Sequence, residues 1–105
     1  MASEELIEIA AQRLARAARA PAWVILFGSH ARGEATIDSD LDFLVLQREV
    51  DDRIAEAVRL RRVLRGLRTP VDVVVMSEAL AAQRARVPGT LVHHALREGR
   101  VVAES

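Results

Sequence analysis

Cysteine is absent from the 105 residues, which excludes a disulfide framework and a thiolate zinc centre; nothing in the chain requires an oxidising compartment. Aromatic residues are scarce. Trp23, Phe27 and Phe43 all fall in stretches that read as strands, so the stacking platform of a single-stranded nucleic-acid module is missing. Lysine is absent as well, and the arginine and alanine bias reads as the codon usage of a GC-rich genome. Fifteen basic residues are balanced by fifteen acidic ones, so no extended nucleic-acid surface is implied by net charge. No apolar run is long enough for a membrane span, and the opening MASEELIEIA is acidic where a signal peptide would be basic. The expectation is a cytoplasmic protein without membrane contact.

What the chain does have is apolar residues, half of the total. At this length, residues 1–105 are expected to form one domain whose core hides roughly 60–70% of the surface of the unfolded chain. Ser3 can cap a helix running to about residue 19, with Leu6, Ile9, Ala10, Leu14 and Ala17 on one stripe, before Pro21 blocks continuation. A first strand follows over 22–27. The second covers 40–47, with Leu41, Phe43 and Val45 on one side and Asp40, Asp42, Leu44 and Leu46 on the other. Asp51 opens a helix to about residue 67 that buries Ala57, Leu60, Leu64 and Leu67, with Gly66 near its end. Thr69-Pro70 starts a third strand, Ser77 caps a short helix to about residue 86, and Pro88-Gly89 introduces another that ends near Gly99. Residues 100–103 read as a short last strand. The alternation predicts an α/β (α+β) fold, a small sheet flanked by helices.

The chemistry concentrates between the first two strands. Gly28 follows the run AWVILF at a point where the backbone must turn and approach a ligand closely. Ser29 opens a single helical turn that Gly33 can end in the left-handed conformation, and such a start aims backbone N–H groups and a hydroxyl at phosphate oxygens. Ten residues after Ser29 comes Asp40-Leu41-Asp42, whose two carboxylates leave the same face of a strand. Asp72 sits near the start of the apolar strand VDVVVM, where an unpaired buried charge costs several kcal/mol. If the two strands are neighbours, Asp40, Asp42 and Asp72 converge, and a divalent cation compensates them; hard oxygen donors without cysteine favour Mg²⁺ or Mn²⁺ over zinc.

Other polar residues carry weaker signals. Arg32, one turn into the Gly-Ser helix, is a candidate phosphate contact, with pairing to Glu34 or an Asp as the alternative. His30 is expected to be exposed beside the same turn, with a substrate contact as the lesser alternative, and Asp38 reads as a turn residue. His93 and His94 are adjacent on a helix and point about 100° apart, poor geometry for a shared metal. Arg59, Arg61, Arg62, Arg65 and Arg68 read as a solvated helix face, the alternative being a partner-binding patch.

Gly28-Ser29, ten residues, Asp40-x-Asp42 and the later strand Asp72, embedded in FGSHARGEATIDSDLDFLV, resemble the signature of the DNA polymerase β nucleotidyltransferase superfamily. More narrowly, the chain is similar to the minimal nucleotidyltransferases (MNT proteins) encoded beside HEPN-domain proteins. The resemblance spans nearly the whole chain and implies a mixed sheet, Mg²⁺ held by the three Asp, and ATP as donor. It also implies AMP transfer to a protein hydroxyl, with a tyrosine of a HEPN toxin as acceptor and the chain as its antitoxin. Larger relatives carry an additional substrate domain, and 105 residues leave no room for one, so the acceptor surface comes largely from another chain, in a homo- or hetero-oligomer. Two other readings stay open: a binding module that masks its partner without chemistry, and a small-molecule enzyme with an aminoglycoside-like pocket.

Overall fold

Side-chain caps set where the helices begin. Oxygens of Ser3, Asp52, Ser77 and Thr90 accept first-turn N–H groups from Leu6, from Ile54 and Ala55, from Leu80 and from His93, at 3.1–3.2 Å. The computed structural model describes residues 3–36 and 38–105; Met1, Ala2 and Ile37 lie outside the described residues. The elements in chain order are α1 (Glu4–Ala17), β1 (Ala22–Phe27), α2 (Ser29–Arg32), β2 (Leu41–Gln47), α3 (Arg53–Arg62), β3 (Val71–Ser77), α4 (Glu78–Ala85), α5 (Leu91–Glu98) and β4 (Arg100–Glu104).

The strands form one mixed sheet in the order β3-β2-β1-β4. β1 is antiparallel to both its neighbours, whereas β2 and β3 are parallel and joined through α3. Alternation along each strand divides the interior into two layers. On one side Leu41, Phe43 and Val45 of β2, with Val73 and Val75 of β3, pack against α1 and against Leu60 and Leu64 of the α3 region. On the other, Ile25, Leu44 and Met76 pack against Ala81 of α4 and Val92 and Ala95 of α5. The small sheet flanked by helices is therefore as expected, down to the division of side chains on β2.

Three boundaries or faces differ from expectation. α1 buries Ile7, Ala10, Ala11, Leu14 and Ala15, while Ile9 is exposed and Leu6 and Ala17 are half-buried. Its core face is rotated toward the small residues because alanine lets the helix lie close to the sheet. α1 also stops at Ala17, since Ala18 is already extended and leads the chain toward β1. α3 begins after Asp52 rather than at Asp51 and ends at Arg62; beyond it, N–H groups of Val63, Leu64 and Arg65 bond three residues back, a tighter winding that ends near Gly66 at φ 93°.

The arginine face of α3 is not uniformly solvated. Gln47 and Glu56 are the buried polar residues among those described. Gln47 accepts from the Arg19 backbone N–H at 2.9 Å and donates to Glu56 at 3.0 Å. Arg59, expected in solvent, donates to Glu56 and to the Ala17 carbonyl, the latter at 2.8 Å. The network ties the end of α1 to β2 and α3, and every buried side-chain polar atom among the described residues has a partner.

Candidate active site

β1 delivers the chain to Gly28, whose backbone at φ 75° and ψ −157° is closed to other residues without strain. Space excludes them too: a methyl group on Gly28 would overlap the carboxylate of Asp42, whose Oδ2 lies directly against this glycine. The close approach follows from register, since Phe27 pairs with Asp42 across the β1/β2 ladder. Gly28 and Asp42 are thus parts of one feature.

Asp42 in turn stands opposite Asp72 in the parallel β2/β3 register. Both point to the α4/α5 side of the sheet, the side of Leu44 and Met76. Asp42 is half-buried and Asp72 exposed. Burial first, then the charges of Asp72 and Asp40, push the Asp42 carboxyl above the usual carboxylate value, against the opposing pull of His30 and Arg32. Asp40 lies just before β2 rather than within it. Its charge reaches Asp42, but among the described residues no three His, Cys, Asp or Glu side chains stand ready to hold an ion. The expected convergence is therefore a strand-paired couple, Asp42 and Asp72, with Asp40 beside it rather than a closed cage. The donor chemistry fits a hard divalent cation, because mutually repelling carboxylates are relieved by one.

Ser29 begins α2, but the cap position is Gly28, with no side-chain bond. The Ser29 hydroxyl makes no hydrogen bond to any described residue. Ser29 therefore opens the turn, as expected, in its first position rather than at its cap. Gly33 ends the turn in the left-handed region at φ 73°, as the sequence suggests. Arg32 donates to Glu34 at 3.1 Å and to Glu98 at 3.2 Å, which raise its pKa and tie α2 to α5. The ion-pair alternative is thus the one observed.

His30 has a role that the sequence reading missed. It is half-buried, and its Nδ1 lies 2.9 Å from the Asp40 carbonyl, fastening the glycine turn to the approach of β2. The signal available was only its place beside Ser29. His93 bonds the Ala85 carbonyl at 2.8 Å while His94 is exposed. Asp38 lies in the turn closed by Ser39, whose hydroxyl accepts from Thr36 N–H at 2.8 Å.

Residues 4–92, which contain all these features except α5 and β4, match the family model described as Nucleotidyltransferase domain. The chain belongs to the nucleotidyltransferase domain family. Solved structures agree in fold. This nucleotidyltransferase is similar to a chain of a toxin–antitoxin complex with AMP-PNP, at 24% identity and TM-score 0.61 over 93% of this chain and 73% of that one. A Sulfolobus solfataricus protein provisionally assigned as a nucleotidyltransferase gives 22% and 0.63, over 95% and 78%. A structure of a tri-AMPylated Shewanella oneidensis HEPN toxin in complex with MNT antitoxin gives 21% and 0.60, over 98% and 74%. Comparison with curated proteins finds no match. In this nucleotidyltransferase no helix among the described residues is long and apolar enough to cross a membrane.

Proposed function

We propose that this nucleotidyltransferase is a single catalytic unit of the cytoplasm that moves AMP from ATP to a hydroxyl of a HEPN-domain toxin, a tyrosine in the resemblance noted above, and so acts as its antitoxin. The observation that carries the reading is the contact of the Asp42 carboxylate with Gly28, opposite Asp72. It sets two repelling carboxylates at the lip of a turn whose serine hydroxyl has no partner among the described residues. The neighbours with AMP-PNP and with a tri-AMPylated toxin point to the same donor and acceptor class.

In this reading Gly28 and Ser29 hold the outer phosphates through backbone N–H groups and the free hydroxyl, fixing the α-phosphorus for in-line attack. Arg32 reaches a phosphate only by exchanging its carboxylate partners. Mg²⁺ or Mn²⁺ held by Asp40, Asp42 and Asp72 would neutralise triphosphate charge and lower the pKa of the acceptor hydroxyl. The acceptor oxygen bonds to the α-phosphorus as the bond to the bridging β-phosphate oxygen breaks. Pyrophosphate leaves with the electron pair, and Asp72, exposed at the edge of the site, takes the acceptor proton.

The test is intact mass of a HEPN-domain protein encoded beside this chain's gene, if the neighbouring reading frame encodes one, after incubation with this chain, MgCl₂ and ATP. One or more AMP units are expected. Asp42→Asn should lower transfer by more than about 100-fold, while its melting midpoint without metal rises because a charge crowded by Asp72 and Asp40 is gone. A partner neutralised with no change of mass would convert the protein into a masking module.

A further inference from the structure

β3 is the outermost strand of the sheet, paired with β2 on one side, and α3 packs on one face of the sheet beside it. Between them lies a groove of about 240 Å³, lined by α3 residues and by residues 72–75 of β3, and continuous through Val58 and Arg61 with a second hollow of about 420 Å³. Two features of its rim are unexplained by the fold. Ile54, 78% exposed, and Val58, 47% exposed, sit one helical turn apart on the rim in open solvent. The side chains of Arg53, Arg61, Arg62 and Arg65, which border the two hollows, join no ion pair or hydrogen bond among the described residues, whereas those of Arg19, Arg32, Arg59 and Arg100 pair with carboxylates. The one acidic residue in the groove is Asp72.

We propose that this groove receives the acceptor protein as an extended segment, apolar with acidic flanks, that adds to the free edge of β3 and presents its hydroxyl to Asp72. The inference rests on the transfer reading above and supplies the acceptor site that reading lacks. Strand geometry makes the connection. Residues opposite one another on adjacent strands share a face, as Asp42 and Asp72 do. The residue that an added strand sets opposite Asp72 therefore points to the carboxylate side. Its two neighbours point to the other side, toward Ile54 and Val58. Main-chain bonds to the strand edge give affinity, the alternate side chains give specificity, and acidic residues farther out meet four unpaired arginines.

The probe is a fluorescein-labelled peptide with blocked ends, Glu-Thr-Val-Tyr-Val-Thr-Glu, titrated against the whole protein by anisotropy. It should bind, and replacing both its glutamates by lysine should weaken binding by about tenfold or more. Val58→Asp with Arg61→Glu should do the same while leaving Mg-ATP affinity by calorimetry unchanged. Arg53→Glu with Arg65→Glu, both on exposed positions, is the second pair should the first fail to fold. With Mg-ATP the tyrosine should acquire AMP, and the phenylalanine peptide should bind without being modified. Failure of the tyrosine peptide to bind a protein that binds Mg-ATP overturns the docking and leaves the transfer reading intact. Binding without AMP transfer has the converse meaning. Binding insensitive to both variant pairs, competition between ATP and peptide at one site, or a wild-type dimer that the variants dissociate would each assign the groove elsewhere and overturn the proposal.

Discussion

Two glycines with nearly equal φ should respond differently to the same substitution. Gly33, at φ 73° and ψ 18°, is left-handed, so alanine there incurs a penalty of about 1–2 kcal/mol; Gly28, at φ 75° and ψ −157°, lies in a region almost confined to glycine, where strain of about 1–3 kcal/mol is expected. A methyl at Gly33 meets nothing, whereas at Gly28 it overlaps Asp42. Gly33→Ala should therefore lose stability with transfer intact. Gly28→Ala should lose more stability and nearly all transfer, because the displaced group is the carboxylate that faces Asp72; chemical denaturation and transfer assayed on one preparation separate the two. Ser29 supplies the complementary case. Its hydroxyl stabilises nothing within the chain, so Ser29→Ala should change stability by less than about 0.5 kcal/mol. Transfer should fall by more than that explains. Normal transfer by the alanine variant would leave the backbone N–H groups as the phosphate contact.

At the scale of elements, what was legible in the sequence follows from how locally each feature is determined. β1 and the α2 turn were read within a residue and β3 within two, because AWVILF, Gly28, Gly33 and VDVVVM each carry their signal in adjacent positions. The inward face of α1 was misjudged because hydropathy favours Ile9 over Ala11, whereas the sheet accepts the smaller side chain. The Gln47, Glu56 and Arg59 network was invisible, since its partners are brought together only by the crossover from β2 through α3. Asp42 against Gly28 was readable as a shared site but not as a contact, which needs the β1/β2 register. The hidden network carries a pH dependence. The Arg59 hydrogen bond, aided by Gln47 and opposed by burial, holds the Glu56 carboxyl below its ordinary value. The unfolded chain then binds more protons below about pH 4.3, so Glu56 contributes stability that is present above this range and lost as pH falls through its lower folded value. Glu56→Gln should cost about 2 kcal/mol near neutrality. Its denaturation midpoints should converge with wild type as pH drops toward 3, and parallel curves would place the stabilisation outside the ionised carboxylate.

For the whole molecule, the site lies across the sheet rather than within one element: β1 supplies the glycine, β2 and β3 the carboxylates, and α2 the hydroxyl. Each of these is held by contacts that exist without ligand, except for the electrostatics, where Asp42 sits among like charges. Ligand binding should therefore relieve strain as well as add contacts. In the function proposed, Mg-ATP would bind the folded chain alone, since the unfolded chain cannot assemble carboxylates from positions 40, 42 and 72. At free ligand about 100 times the dissociation constant, mass action adds about 2.7 kcal/mol, which for a domain of this size is a rise of roughly 10 °C in melting midpoint. ATP with EDTA should give much less, because triphosphate alone adds negative charge beside Asp42 and Asp72. Asp42→Asn should begin from a higher midpoint and gain little from Mg-ATP, so that the two proteins approach one another as ligand is raised. Equal gains in wild type and variant, measured by scanning calorimetry at matched ionic strength, would move the nucleotide site away from the strand-paired carboxylates.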